Sequence, residues 1–175
     1  VAREYGADVP MLRPAELADD YTGTGAVIRY ELQQLQQQGI TADYCCCIYA
    51  TTPLLSPTLL QQAWQQLQAQ PELNYVFSAA RFSFPIQRAL ITTELGVAPL
   101  DPASIGKRSQ DLTPTFHDAG QFYFGKTEAW LKQLPVFGNY SKMQVLPDYL
   151  VQDIDTADDW QRAELLYQLL NQDRF

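Results

Sequence analysis

The residues best suited to chemistry lie in Val151-Gln152-Asp153-Ile154-Asp155-Thr156-Ala157-Asp158-Asp159-Trp160. The stretch reads as the end of a buried strand, two carboxylates at its mouth, and the start of a helix. Side chains of an extended segment alternate faces, so Asp153 and Asp155 project to one side, roughly 6.5–7 Å apart. Two carboxylates so placed can share a hard divalent cation such as Mg²⁺, whose other positions go to water and substrate phosphates. The same residues also read as capping, with Thr156 as N-cap, Asp159 three residues on, and acids in the first turn of the helix. Asp-x-Asp before a helix is more often capping than a metal site, and these ten residues leave both readings open.

Charge bears on that choice. Twelve Lys and Arg against 20 Asp and Glu give a net charge of −8 over 175 residues. This counts against nucleic acid and anionic membranes as partners. A phosphorylated substrate would need a cation to reconcile it with such a chain. Hydrophobic residues make up 46% of the sequence, enough for the core of one domain, and no apolar run approaches a membrane span. The three cysteines are consecutive, Cys45-Cys46-Cys47. Neighbours on a strand face opposite sides and do not readily pair, and zinc-type spacing is absent. They read as small buried hydrophobes in a reducing compartment, which points to a cytoplasmic protein.

The elements that must position the carboxylates follow from periodicity. Val1 to Gly6 reads as the last turns of a helix closed by glycine, so the chain is expected to begin within an element. Ala26 to Gln38 carries an apolar stripe of Ile28, Leu32 and Leu35, with Gly39 ending the helix. Tyr44 to Ala50 and Tyr75 to Ala80 are continuous apolar runs, as expected of strands buried on both faces. Between them Ser56 as N-cap and Pro57 at the first position open a helix that turns Leu60, Ala63, Trp64 and Leu67 inward. Arg81 to Asp118 holds four prolines and no sustained period, which marks a functional loop or an interaction arm. Gln121 to Phe124 reads as a strand, Thr127 to Leu134 as a short helix, and Pro135 to Pro147 as a loop. The strand reaching Asp155 and a last helix burying Trp160, Ala163, Tyr167 and Leu170 complete the chain. Alternating strands and helices predict an α/β fold, a mostly parallel sheet sandwiched by helices, with ligands at the carboxyl ends of the strands.

Four segments in order resemble the acylneuraminate cytidylyltransferases: Arg13-Pro14-Ala15-Glu16-Leu17-Ala18-Asp19-Asp20, Tyr49-Ala50-Thr51-Thr52-Pro53-Leu54, Asp118-Ala119-Gly120-Gln121-Phe122-Tyr123, and Asp153-Ile154-Asp155-Thr156 with Asp159. Ile48 to Pro53 and Arg108-Ser109-Gln110-Asp111-Leu112 are most similar to the pseudaminic acid branch. The resemblance covers nearly the whole chain. It implies a nucleotide-diphospho-sugar transferase (Rossmann-like) fold and attack by a nonulosonic acid's anomeric hydroxyl on the α-phosphate of CTP, releasing pyrophosphate. It also implies a homodimer, with residues 81–118 as the dimerisation arm.

By this resemblance Asp153 and Asp155 match Mg²⁺ ligands and catalytic groups. Arg13 and Thr24 match residues that meet the nucleotide. Arg108 matches an arginine that approaches the sugar carboxylate, and Tyr123 a tyrosine lining the sugar pocket. Gln87 stands near a lysine that sialic acid enzymes use on their sugar; with the missing Gln-Pro-Thr-Ser-Pro run, this counts against a neuraminic acid substrate. The family's glycine-rich basic loop, of the form Ala-Arg-Gly-Gly-Ser-Lys, has no counterpart in these 175 residues. Residues 1–175 are therefore expected to be one domain lacking its N-terminal nucleotide-binding loop. Two alternatives stay open: a metal-dependent glycosyltransferase using a nucleotide sugar, and a non-catalytic, dimer-forming remnant.

Overall fold

In the computed structural model, which describes residues 1–171, a four-stranded sheet carries helices on both faces. In chain order the helices are α1 (Thr24–Gln37), α2 (Pro57–Ala69), α3 (Thr127–Leu131) and α4 (Ala157–Asn171). The strands are β1 (Tyr44–Ile48), β2 (Tyr75–Arg81), β3 (Leu90–Thr93), β4 (Gly96–Pro99), β5 (Phe116–Lys126) and β6 (Ser141–Val145). The sheet order is β1-β5-β2-β6. β5 runs antiparallel to both neighbours, whereas β2 and β6 are parallel. Three strands thus share one direction, as the α/β expectation requires, with β5 inserted against them.

β2 shows why its sequence reads as an unbroken apolar run. Tyr75, Phe77 and Ala79 face α1 and α3, packing with Ile28, Leu32, Ala129 and Trp130. Val76 and Ala80 face the other way, toward Ala63 and Leu67 of α2 and Phe122 of β5. A strand covered on both faces has no polar side to alternate with. Gly125 of β5 lies where a Cβ would sit 2.4 Å from the Trp130 indole nitrogen and 2.6 Å from the Tyr75 ring, so any larger residue would displace that packing.

Local signals place the helix ends. Ser56 Oγ accepts the Leu59 amide at 3.5 Å, with Pro57 in the first position of α2. Gly39, at φ 77°, ends α1 with paired bonds from Gly39 to Gln36 and from Ile40 to Leu35. The opening residues form one 3₁₀ turn, Ala2–Tyr5, closed by left-handed Gly6. No helix among the described residues is long and apolar enough to cross a membrane.

Four expectations need correction. Asp153 and Asp155 do not end a strand: Pro147 is followed by a 3₁₀ turn, Asp148–Leu150, and then by irregular chain. The strand alternation argument therefore does not apply to the pair. The expected loop from Pro135 to Pro147 instead contains β6, whose polar Ser-Lys-Met-Gln-Val pattern reflects a half-exposed edge strand. In α4 only Ala163 is buried; Trp160, Tyr167 and Leu170 stay 40–59% exposed because the described elements leave that face uncovered. The stretch 81–118, read as irregular, holds the β3–β4 hairpin, a two-stranded sheet apart from the main one.

Candidate active site

The carboxyl ends of β1, β2 and β6 and the first half of β5 meet at one edge of the sheet, where α/β proteins bind ligands. A bulge shapes this edge. Between Phe77 and Ala79 of β2, the partners on β5 jump from Tyr123 to Asp118. The slack is taken up at Gly120, whose φ of 61° suits glycine, while the fully buried Ser78 hydroxyl accepts the amides of Gln121 and Phe122 at 3.0 and 3.1 Å. Asp118 and Tyr123 are thereby brought together. The Tyr123 hydroxyl donates to Asp118 Oδ2 at 2.5 Å, and Asp118 Oδ1 accepts the Gly120 amide at 2.9 Å.

Two further groups join them. Tyr49 follows β1, and its ring lies 5.4 Å from that of Tyr123. Its hydroxyl is 2.9 Å from Thr24 Oγ1 at the start of α1. The preceding loop is shaped by Asp19, whose Oδ1 accepts the amides of Tyr21 and Thr22. Thr24, Tyr49, Asp118 and Tyr123, with Trp130 and Phe137, line a cavity of about 190 Å³. Burial, followed by the Asp118 hydrogen bond, pushes the Tyr123 phenol far up, so it stays protonated.

Asp118 also lines a wider cleft of about 650 Å³ with Arg81, His117, Asp148, Asp153 and Arg162. That cleft shares Arg81, Ser83 and Asp148 with a hollow of about 500 Å³ reaching Ser109 and Gln110. One surface thus runs from Thr24 to Gln110, carrying acids, two arginines and hydroxyls.

The structure brings Thr24, Tyr123 and Asp153 to this surface, but not all of the expected residues. Asp155 is exposed and lines none of these cavities. Asp153 accepts the Ile154 amide at 3.1 Å, so one oxygen is engaged locally. The capping reading holds next door: Thr156 and Asp159 exchange hydrogen bonds, Asp159 Oδ2 accepting the Thr156 amide at 3.0 Å and its hydroxyl at 2.7 Å. That hydroxyl bond holds the Asp159 carboxyl below its usual range. Arg13 is exposed and lines none of these three cavities. Arg108 forks onto Asp111 at 2.8 and 3.0 Å. Gln87 donates to the Thr113 carbonyl at 2.9 Å, while its buried Oε1 has no partner among the described residues.

Tyr49, Asp118, Arg81 and Arg162 carry no role on sequence grounds. Tyr49 could be found from its place just past a buried strand, and Asp118 from standing two residues before a glycine, the signature of an Asx turn at a bulge. The arginines carry no local signal.

A sequence profile of the family described as Cytidylyltransferase matches residues 1–169. The chain belongs to the cytidylyltransferase family. Among curated relatives, this cytidylyltransferase is 42% identical to a pseudaminic acid cytidylyltransferase of Campylobacter jejuni, across 100% of this chain and 75% of that protein. It is 34% identical to a Helicobacter pylori protein named pseudaminic acid cytidylyltransferase and UDP-2,4-diacetamido-2,4,6-trideoxy-beta-L-altropyranose hydrolase, over 88% of this chain and 29% of that one. A zebrafish (Danio rerio) N-acylneuraminate cytidylyltransferase B is 29% identical over 94% of this chain and 38% of its own. The fold matches that of CMP:2-keto-3-deoxy-manno-octonic acid synthetase complexed with CTP, at TM-score 0.63 and 12% identity, covering 96% of this chain and 76% of that one.

Among the described residues, no cluster of three or more His, Cys, Asp or Glu side chains could hold a metal unaided. Asp153 and Asp155 are both exposed carboxylates, and of the two only Asp153 lines the cleft.

Proposed function

We propose that this cytidylyltransferase transfers CMP from CTP to a nonulosonic acid, pseudaminic acid in the first instance, with release of pyrophosphate. The observation that carries this reading is 42% identity along the whole chain to a pseudaminic acid cytidylyltransferase, against 29% for an N-acylneuraminate enzyme.

Asp153 and Asp155 would hold Mg²⁺, which when bound neutralises phosphate charge and polarises the reacting phosphorus. The side chains of the chain do the positioning. Arg81 and Arg162, in the same cleft as Asp153, offer cations to phosphate or carboxylate. Arg108 is the candidate for the sugar carboxylate. Its exposed pair with Asp111 is weakly held, so exchanging one carboxylate for another costs little. Thr24 and Arg13 are assigned to the nucleotide, and Gln87 and Tyr123 to the sugar side. The β3–β4 hairpin is assigned as the arm of a homodimer, and CTP as substrate implies a cytoplasmic location.

The test is pyrophosphate release by the natural full-length gene product with CTP, Mg²⁺ and a panel of nonulosonic acids. Release with pseudaminic acid is expected at higher kcat/KM than with N-acetylneuraminic acid. No release with any sugar would overturn the reading.

A further inference from the structure

The chain that carries Asp153 leaves the sheet at Pro147. The Leu146 amide donates to the Ala79 carbonyl at 2.8 Å and closes the ladder to β2, and Pro147 has no N–H to continue it. From there to Thr156 the main-chain amides bond close by. Leu150 donates to the Pro147 carbonyl, Val151 to the Asp148 carbonyl, Ile154 to the Asp153 carboxylate, and Asp155 and Thr156 to the Asp159 carboxylate. Among the described residues, one hydrogen bond ties this segment to the sheet. Gln121 of β5 donates through Nε2 to the Leu150 carbonyl at 2.5 Å, across 29 positions of sequence.

Gln121 is only 3% exposed, and a carboxamide so buried needs partners. Its main chain is already committed elsewhere. The N–H donates to Ser78 Oγ at 3.0 Å, and the carbonyl accepts the Tyr49 amide at 3.0 Å. A single residue therefore meets β2, the chain leaving β1, and the turn beyond β6. We infer that Gln121 is a positioning residue: by holding the Leu150 carbonyl, three residues before Asp153, it fixes where that carboxylate stands in the cleft. The inference rests on the role proposed for Asp153 in the transfer reaction. Asp153 orients its side chain on its own main chain through the Ile154 amide, and Gln121 sets that main chain against β5. An apolar side chain of the same length would fill the space without gripping the turn, so packing by itself gives no reason for an amide here.

The experiment uses the natural full-length protein, Gln121→Met, Gln121→Leu, Asp153→Ala, and Gln121→Met combined with Asp153→Ala. Amide hydrogen exchange reads the tether directly. In both Gln121 variants Leu150 and Val151, whose N–H groups close the turn, should exchange about tenfold faster or more. Leu146 and Thr156, held by Ala79 and Asp159, should change by less than about twofold. Turnover with CTP and the sugar should fall about tenfold in kcat, with both KM values within about threefold, because a displaced group at the reacting centre slows the step more than it weakens binding. The combined variant should turn over within about twofold of Asp153→Ala alone, since Gln121 acts through Asp153; independent losses would multiply. Melting temperatures should stay near that of wild type. A lowered melt in both Gln121 variants, with faster exchange throughout β2 and β5, would make Gln121 a core residue and overturn the inference. Unchanged exchange at Leu150 and Val151, or losses that multiply in the combined variant, would overturn it too. A wild type that releases no pyrophosphate, with the local exchange gain intact, would remove the transfer reading and leave the tether. Normal release without that gain would do the opposite.

Discussion

The hydroxyl oxygen of Ser78 on β2 accepts the amide N–H of Phe122 on β5 at 3.1 Å, and both residues are fully buried. The same oxygen accepts the Gln121 amide at 3.0 Å. These two amides lie where β5 bulges away from its partner, so no ladder carbonyl is there to receive them. Ser78→Ala would strand both donors in the core. We expect a loss of about 2 kcal/mol of stability in urea unfolding, the scale of an unsatisfied buried donor. Sugar KM should rise as well, since the bulge is what brings Asp118 to Tyr123. An unchanged unfolding midpoint would show that the bulge does not depend on Ser78.

The two acids of the Asp-x-Asp segment and the acid that follows should separate by readout. Asp153→Ala and Asp155→Ala are expected to lower turnover roughly a hundredfold or more, as when one stabiliser of developing charge is lost. Because both are exposed, the melting temperature should not move. Asp159→Ala, which removes the reciprocal cap on Thr156, should instead lower the melting temperature and leave the Mg²⁺ dependence of turnover intact. Equal effects of all three on melting would argue that Asp153 and Asp155 serve only the fold.

The cysteine run predicts a fall in stability at high pH. Burial, reinforced by the neighbouring thiols, pushes Cys46 from 9.0 up to about 12 and Cys47 up to about 11. Burial favours the neutral form, so the contribution is complete below pH 9, where unfolded thiols are still protonated. Between pH 9 and about 11 to 12 the unfolded chain loses protons that the folded chain keeps, and stability declines. Urea midpoints at pH 8 and pH 10 would show the drop. A Cys46→Ala, Cys47→Ala double variant should flatten it, and an equal drop in that variant would refute the assignment.

The hairpin prediction concerns assembly. Among the described residues β3 and β4 pair only with each other; Leu90 and Val97 stand exposed on them, and Leu95 in the turn between. A two-stranded ribbon with bare edges is marginal by itself. Sedimentation of the full-length protein should report a dimer, and Leu95→Asp with Val97→Lys should shift it to monomer. A wild-type monomer would remove the arm from the account.

What the sequence determined alone is local. The caps of Ser56 and Pro57, the reciprocal pair Thr156 and Asp159, and the glycine closing α1 at Gly39 each depend on residues three or four positions apart. The apolar runs at Tyr44 and Tyr75 announce burial on both faces for the same reason, because each side chain's own neighbours carry the pattern. The family motifs were legible too. Tertiary structure decided the rest. Asp118 reaches Tyr123 only because a serine about 40 positions earlier holds the bulge open, and Tyr49 reaches Thr24 across 25 positions. β6 escaped notice since an edge strand needs apolar residues on one face at most, and Asp155 was misplaced because Pro147 begins a turn where a strand was expected. Register and bulges arise from pairing between distant segments, so no window of the chain contains them.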